Sequence, residues 1–110
     1  MTMKEIHVPI YNQTVVVIQT DDFDDVAREY GLDRDMIYSS AFHFVTNDKM
    51  YLVFDFKNIK PSVIAHECNH CVCSIFINIG AKVDEFNVEP ANYLLSFLID
   101  ECYKIVKLKK

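Results

Sequence analysis

"PSVIAHECNHCVCSIFINIG" (residues 61–80) decides how this chain is read. Pro61 opens the stretch and Gly80 closes it. Proline's fixed φ suits a first helical turn, and glycine accepts the left-handed conformation that ends one. A helix over 62–79 would run for roughly 27 Å. Apart from one polar group and Asn78 the stretch is almost wholly apolar, so this helix is expected to pass through the core. The polar group, His66-Glu67-Cys68-Asn69-His70, spells HExxH.

Positions four apart on a helix point the same way, one turn above the other. His66 and His70 can therefore offer two imidazoles to one ion. Zinc accepts two such nitrogens, needs a third protein ligand, and in a catalytic site keeps its fourth position for water. Glu67 projects beside that point rather than at it. The chemistry this spacing serves is peptide-bond hydrolysis by zinc-activated water, with Glu67 as general base. The plainer alternative is two core or half-exposed histidines bonded to backbone or to Glu67.

A third ligand has to come from outside the motif. The remaining histidines, His7 and His43, lie upstream, and the acids downstream are Asp84, Glu85, Glu89, Asp100 and Glu101. Glu89 is the best placed, because it opens the next helix, although Pro90 holds it at the cap or in a bent first turn. Glu85 is the reserve. Cys73 falls on the face of His66 and His70, and these three could hold a structural zinc closed by Glu89 or another thiol. Cys68 and Cys71 have C-x-x-C spacing, but a buried cysteine is more often a small hydrophobe. Tyr93 and His43 are candidate donors to a tetrahedral oxyanion. The ordinary reading is packing for the first and a strand-face histidine for the second.

Outward from this helix, "EIHVPIYNQTVVVIQT" (5–20) predicts two strands, 5–10 and 14–19, joined at Tyr11-Asn12-Gln13, with Pro9 marking the first as an edge. In "DDFDDVAREYGL" (21–32), Asp21 or Asp22 caps a helix that Gly31 ends. Phe23, Val26, Ala27 and Tyr30 share one side of it. Residues 41–46 and 50–56 read as a hairpin turning at Thr46-Asn47-Asp48-Lys49. The second of these strands is apolar on both faces and should be central or covered. A last helix over 88–107 carries Ala91, Leu94, Leu95, Leu98, Cys102 and Ile105 as its apolar stripe.

The chain has 110 residues, 51% of them hydrophobic, with a formal net charge of −5. One domain is expected. The acidic balance argues against nucleic acid as a partner, since phosphate binding calls for a basic patch. The basic run at Lys104–Lys110 suits a helix C-terminus or a solvated tail. No signal peptide or span of about 20 apolar residues is visible, so no membrane association is expected. Three of the four cysteines crowd into 68–73, poor geometry for a disulfide framework, and point to reduced thiols in a cytoplasmic protein.

"VIAHECNHCV" (63–72) followed by "VEPANYLLSFLIDECYKIV" (88–106) resembles the small phage and prophage zinc metallopeptidases, over about residues 55–106. In "PANY" (90–93), Asn92 separates Ala91 from Tyr93, a departure from their pattern. The resemblance implies Zn2+ held by His66, His70 and Glu89, with Glu67 as base. It also implies a minimal zincin-like domain over 1–110, in which a small sheet packs on the active-site helix. The expectation is thus an α+β fold with an antiparallel or mixed sheet of three to four strands and three helices. Its function would be that of a metallopeptidase acting on a peptide or protein substrate. The alternative is a non-catalytic phage accessory or assembly protein that keeps the fold, with structural zinc or no metal.

Overall fold

The structure, a computed structural model, describes residues 1–33, 40–46, 48–82, 84–86 and 88–108. Four strands and three helices follow in the order β1 (Thr2–Val8), β2 (Gln13–Thr20), α1 (Phe23–Tyr30), β3 (Ala41–Thr46), β4 (Lys49–Asp55), α2 (Pro61–Asn78) and α3 (Val88–Ile105). The strands form one mixed sheet in the order β1-β2-β4-β3. The outer pairs are antiparallel and the central β2–β4 pair is parallel.

Strand alternation sends side chains to opposite faces, and both faces are covered. Val15 and Val17 of β2 and Met50, Leu52 and Phe54 of β4 join the core formed with α2 and α3. Val16 and Ile18 of β2, with Tyr51 and Val53 of β4, pack with Val26 of α1 on the other side. The fold is therefore a three-layer α+β arrangement with β4 central, as its two apolar faces predict. Among the described residues, no helix is long and apolar enough to cross a membrane.

The first strand ends at Val8 rather than residue 10. Pro9 has no N–H for the ladder, and Ile10 (φ 73) and Asn12 (φ 51) enter the left-handed region to turn the chain. Asp48 does the same at the β3–β4 turn (φ 63). Asn47, part of the expected turn, lies outside the described residues, as do Lys109 and Lys110 of the basic run.

Local chemistry sets the helix ends. Asp22 caps α1 by accepting a hydrogen bond from the Asp24 N–H at 2.9 Å, and Gly31 closes that helix at φ 67. Asp22→Ala is expected to cost about 1 kcal/mol, read as a lower urea midpoint at unchanged slope. Pro61 occupies the first turn of α2, and the chain leaves that helix through Gly80 (φ 77). At the far end of α3, buried Gln19 acts as a backbone surrogate. Its Nε2 donates to the Lys107 carbonyl at 2.8 Å, and its Oε1 accepts from the Lys107 N–H at 2.9 Å. These two bonds tie the end of α3 to the end of β2.

The helix pair is antiparallel. Cys68 of α2 meets Cys102 of α3 with sulfurs 3.7 Å apart. Tyr11 meets the Phe76 ring at a tilt near the C-terminal end of α2 and shares a groove with Pro90 and Leu94 at the N-terminal end of α3. This pairing fixes which ends of the two helices meet.

Candidate metal centre

His66 and His70 project from the exposed side of α2, one turn apart, and their Nε2 atoms stand 3.1 Å apart. Two nitrogens bound to one tetrahedral zinc at ordinary bond lengths would be about 3.3 Å apart. The separation of the pair thus matches that of two nitrogens on one ion. Glu67, between them in sequence, turns inward and is only 6% exposed.

A third histidine completes this seam. His43 of β3 pairs in register with Leu52, and cross-strand partners share a face, so it points to the α2 side of the sheet. Its ring lies nearly flat on that of His70, with centroids 4.5 Å apart and planes 18° apart. Its Nδ1 is 3.2 Å from Glu67 Oε2. Reading it as a strand-face histidine described its position but not its contacts. Alternation puts position 43 on the face of Ala41, and only the packing of the sheet turns that face to the motif helix.

Glu67 and His66 also line a cavity of about 320 Å³ with Ser40, Ala41, Ser62 and Val63. This cavity sits where the start of β3 faces the first turns of α2. It offers two hydroxyls, a carboxyl and an imidazole in one concavity.

Glu89 and Tyr93 are not brought to this place. Glu89 is exposed in the first turn of α3. It precedes Cys102, which is level with Cys68, by roughly 20 Å of helix. The antiparallel pairing therefore sets it opposite the far end of α2. Tyr93 is highly exposed and lines the apolar groove beside Ile10, Tyr11 and Phe97. Glu85 is exposed in the connection between the two helices, and Cys73 lines a separate hollow with Phe76 and Lys82. Among the described residues, no group of three or more His, Cys, Asp or Glu side chains is arranged to hold a metal ion.

The four cysteines are free thiols. Cys68, Cys71 and Cys102 are buried in the core between the helices and the sheet, turned away from the histidines. The contact with Cys102, then burial, pushes the Cys68 thiol far up from its ordinary range. Burial pushes that of Cys71 up to about 12. Buried in the core and turned from the histidines, these two are packing groups. Comparison with protein-family models, with curated proteins and with solved structures finds no match to the chain.

Proposed function

We propose that this chain is a zinc-dependent peptidase of minimal zincin-like build, in which His66 and His70 hold the metal and Glu67 is the general base. One observation carries the reading: two imidazole nitrogens 3.1 Å apart, at bite distance for a single ion, beside a buried carboxyl. Zinc held there would supply Lewis-acid polarisation of a carbonyl and a readily ionised water.

The chain's own residues do the rest. Glu67 takes up a proton and delivers it to the departing amine from the wall of the cavity it shares with His66. Ser40 and Ser62 offer hydrogen bonds to the substrate in the same cavity. The substrate is an extended peptide that adds to a sheet edge through its backbone. β4 is paired on both sides, whereas β3 is paired on one, so β3 is the strand beside α2 that supplies the edge. Glu89 and Tyr93 take no part, given their place on α3. The resemblance to phage and prophage peptidases and a cytoplasmic location belong to this reading.

Elemental analysis and a hydrolysis assay test it together. The wild type is expected to hold about one zinc per chain and His66→Ala to lose it. Cleavage of a denatured protein should stop with chelator and return with zinc. Wild-type protein that stays zinc-free after supplementation would sink the reading. The alternative of a non-catalytic accessory protein would then stand.

A further inference from the structure

Three imidazoles meet along the seam between β3 and α2, and the HExxH spelling accounts for two of them. We infer that His43 is the third protein ligand of the metal site, bound through Nε2 and oriented by Glu67. This rests on the metal reading above and specifies its missing ligand.

The His43–Glu67 contact, 3.2 Å from Nδ1 to Oε2, favours one tautomer. An ionised carboxylate can only accept, so with Glu67 ionised the proton of the contact lies on Nδ1, and in the neutral imidazole Nε2 keeps the lone pair. Metal-bound histidines show this pattern: one ring nitrogen ligates while the other gives its N–H to a carboxylate. Nε2 is also the atom that His66 and His70 bring together.

Position and freedom agree with the role. His43 already touches His70, ring to ring. Its side chain is 37% exposed on an edge strand, so it can leave the stack by turning about its own torsions. As the rings stand they form no three-ligand set, and the assignment requires this turn to bring His43 Nε2 to the pair. The other candidates are distant or buried. Glu89 lies roughly 20 Å along the helix hairpin. His7 is on β1, at the opposite edge of the sheet and at least about 14 Å away by strand spacing. Cys68 and Cys71 face the core.

The test uses the zinc-loaded full chain. X-ray absorption at the zinc edge counts imidazoles by their outer-shell scattering. Three are expected in the wild type and two in His43→Ala. Competition with a chelator should show His43→Ala weakening zinc by more than the roughly 10–100-fold that loss of an orienting partner costs. Glu89→Ala should leave zinc affinity unchanged. His43→Gln, which still meets Glu67 but lacks an imidazole, should behave as His43→Ala, and thermal unfolding checks that both variants fold. Two imidazoles in the wild type, or zinc bound equally tightly by His43→Ala, overturns the assignment. Zinc lost with His66→Ala but kept with His43→Ala sinks this ligand alone. No zinc in the wild type sinks the parent reading as well.

Discussion

Glu67→Gln is expected to keep its zinc and lose hydrolysis by about 10²- to 10⁴-fold, the usual contribution of a positioned acid–base group. The two side chains are nearly the same shape. The carbonyl of the introduced amide can still accept the His43 Nδ1–H, so the seam between β3 and α2 should hold. What disappears is a group able to take a proton. The fall should therefore appear in kcat, with zinc content unchanged by elemental analysis. Activity retained in Glu67→Gln would remove this residue from the base role, whatever the metal content. Loss of zinc along with activity would instead move Glu67 into the ligand set.

Phe54→Ala is expected to destabilise the fold by about 3–5 kcal/mol, the range for removing a buried aromatic ring from a packed core. Phe54 is fully buried on central β4 and belongs to the core shared with α2 and α3. Its strand partners are Gln19 on one side and Ala41 on the other. The ring's place is flanked by two paired strands and belongs to the core shared with α2 and α3, which leaves little means of collapse. The melting temperature should fall by at least about 12 °C. A loss below about 1 kcal/mol would show that the sheet and helices repack freely there. The same residue supports the site at a distance, because its strand neighbour Ala41 begins the wall of the cavity that holds His66 and Glu67.

Much of the fold was legible because the local signals agree. Asp22 and Gly31 bracket α1, and Pro61 and Gly80 bracket α2, through backbone chemistry that needs no distant partner. Strand β4 read as covered because Tyr51 and Val53 are as apolar as Leu52 and Phe54. Its neighbours were not legible. Loose alternation at 5–19 and 41–56 suggests two hairpins but does not say how they join. The structure inserts β4 between β2 and β3, so the centre of the sheet is a parallel pair.

The candidate site divides in the same way. By itself, the sequence determined that His66 and His70 share a helix face with Glu67 beside them, because helical periodicity depends only on spacing. It also favoured Cys68 and Cys71 as small buried hydrophobes, the ordinary role of such cysteines, and the structure buries both. Tertiary structure alone decided what faces that helix. The antiparallel pairing of α2 with α3 carries Glu89 and Tyr93 to the far end. The strand order puts β3 at the edge beside α2, and so His43 against His70 and Glu67. Spacing within an element is fixed by covalent geometry. Which elements become neighbours depends on how apolar faces are buried together, and that is a property of the whole chain.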